Sequence, residues 1–280
     1  MVTEEEVAQY YDQCEAHYRQ HLKLDQCLAL HYGYWTPDTA TLEDALRNTN
    51  KVLAAKARIG KTDRVLDAGC GVGGSTIYLA RTLGCRVLGI TLSRQQVETA
   101  RAHAAHHGVS DLAHFERRNY CHTGLQPESF NVIWAVESVC QANDKKAFID
   151  EAYRLLRPDG RLVMADYFQA RDSATTKETR IFDQWLDGWA IPGLARIDEF
   201  KDYLRATGFH SITVDDATQH IRPSAKKLYH RFFLGFPIQK LYEWFAHPTE
   251  IQKKNVRTAK LQYDSLKRGL WTYHVVLAVK

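Results

Sequence analysis

The 280-residue sequence contains no run of about 18 consecutive apolar residues, so it predicts no membrane-spanning helix. Its first residues are acidic and no basic stretch leads into an apolar one, so we expect no secretory signal. Lysine and arginine number 37 against 33 aspartates and glutamates, a balance that gives no indication of a nucleic-acid partner. The six cysteines form no C-x-x-C pair, which argues against a zinc site and a disulfide framework and favours a reducing, cytoplasmic setting.

The composition that is present is typical of a globular domain, with 45% hydrophobic residues, 25% charged residues, 16 glycines and 7 prolines. Strand-like and helix-like segments alternate along most of the chain. The predicted strands are Arg64–Ala68, Arg86–Ile90, Ala113–Arg117, Asn131–Ala135, Arg161–Tyr167, Ser211–Val214 and Thr272–Val279. The predicted helices between them are Ser75–Leu83, Arg94–His107, Lys145–Leu156, Lys177–Trp189 and Asp198–Thr207. This alternation predicts an α/β fold with a mostly parallel sheet that helices cover on both faces.

Composition divides the chain into four parts. We expect an N-terminal helical and aromatic entry segment (1–60), an α/β core (61–219), a helical insertion (220–268) and a last core strand (269–280). The insertion mixes basic residues with aromatic ones, so a lid over a pocket, an oligomer contact and a membrane-facing surface are all open interpretations. We favour the lid, because an apolar helix face can cover a pocket while the charges stay in water.

A glycine-rich turn follows the first predicted strand. Glycines occur where a ligand must approach the backbone closely, and Gly69, Gly71 and Gly74 satisfy the G-x-G-x-x-G pattern of dinucleotide sites. A nicotinamide oxidoreductase is therefore one alternative. Asp67 argues against it, because a carboxylate there would repel a pyrophosphate but could accept hydrogen bonds from an ammonium group. S-adenosylmethionine has an amino-acid end, a ribose and no phosphate, so it fits this turn better.

The segment Asp67-Ala-Gly-Cys-Gly-Val-Gly-Gly74 resembles the first motif of class I S-adenosylmethionine-dependent methyltransferases. The segments at 89–96 and 136–141 resemble motifs of the tocopherol, sterol and cyclopropane fatty acid methyltransferases. The aromatic stretches at 10–12 and 31–35 are similar to the entry segments of that group. The resemblance implies a Rossmann-like fold whose seven-stranded sheet is mostly parallel, with the last strand antiparallel and inserted beside the parallel set.

The resemblance also implies the residues that hold S-adenosylmethionine. Thr91 and Gln96 match positions that contact the cofactor in that group. Asn119 stands where many class I enzymes have an aspartate against the adenine, and its amide oxygen can still accept a hydrogen bond. The full predicted cofactor set is Asp67, Gly69, Cys70, Gly71, Gly73, Thr91, Leu92, Gln96, Asn119 and Tyr120.

Glu137 matches the glutamate that the sterol and tocopherol enzymes carry after their fourth strand. Its carboxylate could stabilise a carbocation or act as a general base, although a purely structural ion pair is an alternative. We predict Tyr11 and His31 as further catalytic residues, His31 as a base if the acceptor is a hydroxyl or an amine. The predicted acceptor-binding residues are Tyr18, Tyr32, Trp35, Cys140 and Gln141. We expect no metal ion, since the sequence has no closely spaced ligand set.

The predicted function is methyl transfer to a small, largely apolar acceptor, with carbon methylation of an isoprenoid, sterol-like or prenylated aromatic compound in first place. N- or O-methylation of a small amine, phenol or acid is the alternative among enzymes. A non-catalytic S-adenosylmethionine-binding protein is the alternative outside them. Ser138 follows Glu137 where cyclopropane synthases have a histidine that helps to hold bicarbonate, which argues against cyclopropanation. Contact with a membrane surface is an open alternative that the sequence does not favour, and the sequence does not determine the oligomeric state.

Overall fold

The computed structural model describes residues 3–22, 27–246 and 248–280, with side chains at all of these except 16–22 and 234–246. The helices are α1 (Glu4–Leu22), α2 (Leu42–Lys56), α3 (Gly74–Leu83), α4 (Arg94–His106), α5 (Lys145–Leu155), α6 (Thr176–Gly188), α7 (Ile197–Thr207), α8 (Thr218–Ala246) and α9 (Glu250–Lys267). The strands are β1 (Arg64–Ala68), β2 (Arg86–Thr91), β3 (Ala113–Arg117), β4 (Phe130–Val136), β5 (Leu156–Gln169), β6 (His210–Asp216) and β7 (Trp271–Val279). A short 3-10 helix spans Val139–Gln141.

The seven strands form one sheet in the order β3-β2-β1-β4-β5-β7-β6. Strands β1 to β5 pair in parallel, and β7 lies antiparallel between β5 and β6. The predicted fold class is therefore confirmed. From β1 the chain continues to β2 and β3 on one side, whereas from β4 it continues to β5 on the other side. The loops after β1 and β4 therefore diverge and leave a crevice between them. Open α/β sheets bind their ligands at such a switch point, at the carboxyl ends of the strands.

Alternate residues of the strands point to opposite faces of the sheet, and each face has its own buried core. On β4, Val132 and Trp134 join the core that contains α2, α3 and α4 residues. Ile133 and Ala135 join the core that contains α5 and α7 residues. The central strands are thus buried on both faces, which explains why their sequences read as nearly continuous apolar runs.

Strand β5 differs most from its predicted extent, since it begins at Leu156 rather than Arg161. The segment Arg157-Pro-Asp-Gly160 predicted a turn, and the chain does turn there, with Asp159 at φ 61°. The segment still belongs to the sheet because its backbone bonds the end of the chain. The Asp159 N–H donates to the Lys280 carbonyl at 3.1 Å, and the Lys280 N–H donates to the Gly160 carbonyl at 2.9 Å.

The entry segment is helical over α1, and the chain is not helical over residues 28–35. Residue 28 lies against the start of α3, where a Cβ on Gly74 would come within 1.9 Å of the Leu28 carbonyl oxygen. Only a glycine permits this close approach of the entry segment to the glycine loop. The entry segment therefore reaches the same end of the sheet as the loop after β1.

Two helices, α8 and α9, connect β6 to β7 where the sequence predicted one helical insertion. Helix α9 packs against α1, α6 and α8. In the part of the chain that the structure describes, none of the helices combines the length and the apolar character that crossing a membrane requires.

Candidate active site

A cavity opens at the carboxyl ends of β1, β2 and β4, at the switch point of the sheet. The glycine loop after β1 forms its floor, and residues 91–93 after β2 form one wall. Glu137 and Ser138, which follow β4, form the opposite wall. The N-terminal part of the chain completes the lining of the cavity through residues 28–31 of the entry segment and Tyr11 of α1.

The glycines of the loop serve two different purposes. Gly71 has φ 52°, and a Cβ placed on it would meet nothing within 4 Å, because it would project into open space at the cavity. This is the arrangement expected where a ligand must lie against the backbone. Gly69 has φ 94°, and a Cβ there would lie 2.4 Å from the Ser138 Cβ, so this glycine allows the β4 loop to approach.

Gly73 was predicted to contact the cofactor, but the structure gives it a packing role. It does not line the cavity, and a Cβ on it would lie 2.9 Å from the Phe115 ring. Its neighbours Val72, Gly74 and Ser75 line the cavity instead, and of these the sequence had singled out only Gly74, as part of the G-x-G-x-x-G pattern.

Asp67 lies at the end of β1, buried to 2% exposure, and lines the cavity. The Thr76 hydroxyl donates to its Oδ2 at 2.7 Å. Burial raises the pKa of Asp67 to about 7, and the Thr76 hydrogen bond opposes the rise. A buried carboxylate is costly unless a positive charge pairs with it. The ammonium group of S-adenosylmethionine is such a charge, so this residue fits the predicted cofactor.

The wall after β2 is hydrogen-bonded to the entry helix. The Thr91 hydroxyl donates to Gln96 Oε1 at 2.6 Å, and both residues line the cavity. Ser93 caps α4 by accepting from the Gln96 N–H at 3.0 Å, and its hydroxyl donates to the Asp12 carboxylate. Helix α1 is therefore hydrogen-bonded directly to the loop between Thr91, the last residue of β2, and Gln96 in the first turn of α4.

Asn119 and Tyr120, both predicted to contact the cofactor, separate in the structure. Asn119 lies outside the cavity lining, because its amide oxygen accepts from the Cys121 N–H at 2.7 Å and its amide nitrogen donates to Glu4 at 2.6 Å. Tyr120 does line the cavity, and its hydroxyl donates to the Ser138 carbonyl at 2.9 Å.

Glu137 directly follows β4 and is held by three hydrogen-bond donors. Its Oε1 accepts from the Tyr32 N–H at 2.7 Å and from the Tyr273 hydroxyl at 2.9 Å. Its Oε2 accepts from the Tyr167 hydroxyl. Burial raises the pKa of Glu137 to about 8, and these hydrogen bonds oppose the rise. Its backbone has φ 49°, a left-handed conformation that is uncommon for a residue other than glycine and is frequent at functional sites.

An aromatic cluster includes the three tyrosines that bond Glu137. Its six rings are those of Tyr32, Tyr167, Trp185, Trp189, Trp271 and Tyr273. Tyr32 stacks on Trp271 with ring centroids 6.3 Å apart, and Tyr167 meets Trp271 edge-on at 5.3 Å. The sequence did not identify five of these six rings. Of these five, only Tyr167 and Tyr273 could have been proposed from the sequence, because they lie at the ends of predicted strands.

His31 also lines the cavity, with Nδ1 2.9 Å from the Tyr32 carbonyl oxygen. Because a carbonyl oxygen can only accept, Nδ1 carries the proton and Nε2 keeps its lone pair. Burial lowers the pKa of His31, so the ring is neutral near pH 7. A neutral imidazole with a lone pair at Nε2 can take a proton from a bound molecule.

The predicted pair Tyr11 and Gln141 also lines the cavity. The Tyr11 hydroxyl donates to Gln141 Oε1 at 3.0 Å, and Gln141 Nε2 donates to the Trp189 carbonyl at 3.0 Å. Gln141 thus connects the entry helix with the loop that follows α6.

The other predicted acceptor-binding residues lie elsewhere. The Tyr32 hydroxyl donates to Gln262 at 2.6 Å, Trp35 Nε1 donates to Ser224 at 2.9 Å, and the Cys140 N–H donates to Asp166 at 2.9 Å. These three residues do not line the cavity. The side chain of Tyr18 lies outside the described residues. Within the residues that the structure describes, His, Cys, Asp and Glu side chains form no group of three or more that could hold a metal ion.

The sheet order, the glycine loop and the buried Asp67 together define a class I S-adenosylmethionine-dependent methyltransferase. The family model described as mycolic acid cyclopropane synthetase matches residues 2–234. The chain belongs to this family, and the predicted membership of the methyltransferase group is confirmed.

Relatives within this group carry several methyltransferase names. The chain is 34% identical over 203 residues to 27-O-demethylrifamycin SV methyltransferase of Amycolatopsis mediterranei, covering 72% of this chain and 74% of the relative. It is 33% identical over 217 residues to 2-methyl-6-phytyl-1,4-hydroquinone methyltransferase of Synechocystis sp., covering 72% and 64%. Among solved structures, geranyl diphosphate C-methyltransferase from Streptomyces coelicolor A3(2) superposes with a TM-score of 0.72 at 20% identity, covering 99% and 97% of the two chains. This last similarity supports the fold alone.

Proposed function

We propose that the chain transfers the methyl group of S-adenosylmethionine to a carbon atom of a small, largely apolar acceptor, such as an isoprenoid, a sterol-like compound or a prenylated aromatic ring. One observation carries the proposal: Glu137 lines the cavity, and its carboxylate accepts hydrogen bonds from two hydroxyls of the aromatic cluster, those of Tyr167 and Tyr273. Methylation of an alkene or an electron-rich ring gives a carbocation. A carboxylate and the faces of aromatic rings are the groups that stabilise such a charge.

The cavity residues fit the cofactor by their chemistry. Asp67 would hold the ammonium group, and Gly71 would leave room for the ligand beside the backbone. Thr91 at the end of β2 and Gln96 at the start of α4 would offer polar groups. When bound, S-adenosylmethionine supplies an electrophilic methyl group that needs no further activation.

The protein's own contribution is then to orient the acceptor and to exclude water. Residues 28–31 and Tyr11 cover the cavity, so a bound acceptor would be held away from solvent. Holding two reactants in a productive geometry is worth up to about 7–11 kcal/mol of the barrier. Glu137 would stabilise the positive charge that develops on the acceptor, and its carboxylate could then accept the proton that leaves the methylated carbon.

O-methylation is the second candidate, because His31 offers a lone pair at Nε2 inside the same cavity. Removing a proton from a hydroxyl acceptor is a task for a neutral imidazole. The name of the rifamycin relative also refers to methylation at an oxygen. The two candidates therefore assign the chemical step to different residues, Glu137 in the first and His31 in the second.

The test uses S-adenosylmethionine labelled with ¹³C in its methyl group. A panel of acceptors would include a prenylated hydroquinone, a sterol with a side-chain alkene, geranyl diphosphate and a simple phenol. We expect the label on carbon, and ¹³C NMR of the product distinguishes a C–CH₃ from an O–CH₃ group. A label on oxygen would establish the second candidate. Cofactor binding with no transfer to any acceptor would favour a binding protein without turnover.

A further inference from the structure

Tyr167 and Tyr273 occupy directly opposite positions on the antiparallel strands β5 and β7. Residues that are paired in this way point to the same face of a sheet. Their rings meet edge-on with centroids 5.6 Å apart. The Tyr167 hydroxyl donates to Oε2 of Glu137, and the Tyr273 hydroxyl donates to Oε1. One strand pair therefore supplies a separate donor to each oxygen of the same carboxylate.

The rest of the local backbone fixes the carboxylate further. The Tyr32 N–H is a second donor to Oε1, and the Glu137 N–H donates to the Ala165 carbonyl at 2.9 Å. With both oxygens held, the carboxylate plane cannot rotate without breaking at least one hydrogen bond. Tyr167 and Tyr273 thus determine which way the carboxylate faces.

The electrostatic surroundings oppose ionisation of Glu137. Burial is the largest influence, and the nearby Asp166 carboxylate adds repulsion. Among the described residues, the ionisable side chains that interact with Glu137 include Asp166 on β5, Cys140 in the 3-10 helix, and the hydroxyls of Tyr32, Tyr167 and Tyr273. Each of these groups is neutral or negative, so the ionised form of Glu137 is favoured by the hydrogen-bond donors described above.

We infer that Tyr167 and Tyr273 are positioning residues, which donate to the two oxygens of Glu137, fix the direction of its carboxylate and favour its ionised form. Donors to a carboxylate favour its charged form. Without the two hydroxyls, burial would keep the side chain protonated, and a protonated carboxyl could neither stabilise a cation nor accept a proton. This inference rests on the proposed function for its catalytic meaning, but its physical content can be measured in the ligand-free protein.

Tyrosine-to-phenylalanine variants isolate the hydroxyls, because the ring and nearly all of its volume are retained. Tyr167→Phe removes the donor to one oxygen, and Tyr273→Phe removes the donor to the other. Tyr263→Phe is a matched control. Tyr263 lies on α9, is buried in the same apolar core, and has its ring against Tyr229 rather than Glu137.

The experiment follows the titration of Glu137 by ¹³C NMR in protein labelled at the glutamate carboxyl carbons. The signal that is missing in Glu137→Gln identifies this residue. We expect the midpoint to rise by about one pH unit in Tyr167→Phe and in Tyr273→Phe, since a hydrogen bond to a charged group is worth roughly that much. The midpoint in Tyr263→Phe should equal that of the unmodified protein. Unchanged midpoints in both tyrosine variants would overturn the inference.

Once an acceptor is identified, the pH dependence of kcat gives a second measurement. Glu137 must be ionised to act. On acidification, kcat of both variants should therefore begin to fall at a higher pH than kcat of the unmodified protein, while the affinity for the cofactor stays unchanged. If Tyr167→Phe does not fold, Tyr273→Phe carries the test through the other oxygen. Full activity of Glu137→Gln would contradict the proposed function while leaving the shifted midpoints valid. Unshifted midpoints together with an inactive Glu137→Gln would overturn this inference alone.

Discussion

The Asp67 carboxylate accepts a hydrogen bond from the Thr76 hydroxyl at 2.7 Å, and both side chains are almost completely buried. Asp67 is the penultimate residue of β1, and Thr76 lies in the first turn of α3, so this contact spans the glycine loop. The loop is therefore fixed at both ends before any ligand binds. The contact leaves the carboxylate without a positive partner among the described residues that bond it, which makes Asp67 sensitive to pH and to a cationic ligand.

The first prediction concerns the pH dependence of cofactor binding. An ammonium group favours the ionised form of Asp67, whose pKa in the ligand-free protein is about 7. Binding below that pH must release a proton, so the affinity for S-adenosylhomocysteine should fall by up to about tenfold for each pH unit below 7. Calorimetry in buffers of different ionisation enthalpy measures the released proton. An affinity that is the same at pH 6 and pH 8 would argue against Asp67 as the partner of the ammonium group.

The second prediction concerns the stability of Asp67→Asn. The pKa of the Asp67 carboxyl lies near its ordinary value of 3.8 in the unfolded chain and is raised by burial to about 7 in the folded protein. Between these values the folded state binds more protons, so the stability of the unmodified protein falls as the pH rises, and the full cost is present above about 7. The variant should therefore have the higher Tm above pH 7, with a difference that shrinks toward pH 4. Melting temperatures that differ equally at both ends would show that ionisation of Asp67 is not the cause.

The third prediction compares two glycine variants with the same backbone strain. Gly71 and Gly108 both have a positive φ and open space around a Cβ, but only Gly71 lines the cavity. Gly71→Leu and Gly108→Leu should lose similar stability, because each forces leucine into a left-handed conformation. Binding of S-adenosylhomocysteine should disappear in Gly71→Leu and persist in Gly108→Leu. Retained binding in Gly71→Leu would remove this part of the loop from the cofactor site.

The fourth prediction separates the two candidate chemical steps through His31. In His31→Asn the amide nitrogen can replace the Nδ1 donor to the Tyr32 carbonyl, but the base at Nε2 is lost. For carbon methylation centred on Glu137 we expect kcat to change by less than about tenfold, far below the 10²- to 10⁴-fold typical of a lost general base. A loss in that larger range, with cofactor affinity retained, would transfer the central role to His31.

The local parts of the molecule could be predicted from the sequence. The run of apolar residues predicts strand β1, and the glycines that follow it predict the loop. Glu137 directly follows another segment that the sequence predicts as a strand. The partners of Glu137 could not be predicted in the same way. Tyr167 and Tyr273 meet because β7 inserts beside β5 in one particular register, and that pairing joins distant parts of the chain.

Asn119 and Trp35, which were predicted to contact the cofactor and the acceptor, do not line the cavity for a related reason. Asn119 does follow a strand at the correct end of the sheet, but its side chain bonds Cys121 and Glu4 instead. Trp35 belongs to an aromatic stretch next to His31, but its indole N–H donates a hydrogen bond to the Ser224 hydroxyl on α8. Their positions in the sequence place both residues near the site. Hydrogen bonds to other residues then orient their side chains away from the cavity lining.

The central claim is that Glu137 acts in the chemical step and not in cofactor binding. Glu137→Gln should fold, because a glutamine oxygen can accept from Tyr32 and Tyr273 while its nitrogen donates to the Tyr167 hydroxyl. Glu128→Gln is the matched control, since Glu128 also has a positive φ and is exposed outside the cavity.

The most direct measurement is kcat for the identified acceptor, together with the Kd for S-adenosylhomocysteine, in these two variants and the unmodified protein. We predict that Glu137→Gln lowers kcat by about 10²-fold or more with an unchanged Kd, which is the scale of a lost electrostatic or general-base contribution. Glu128→Gln should match the unmodified protein in both quantities. Full activity of Glu137→Gln would contradict the account and leave Glu137 with a structural role.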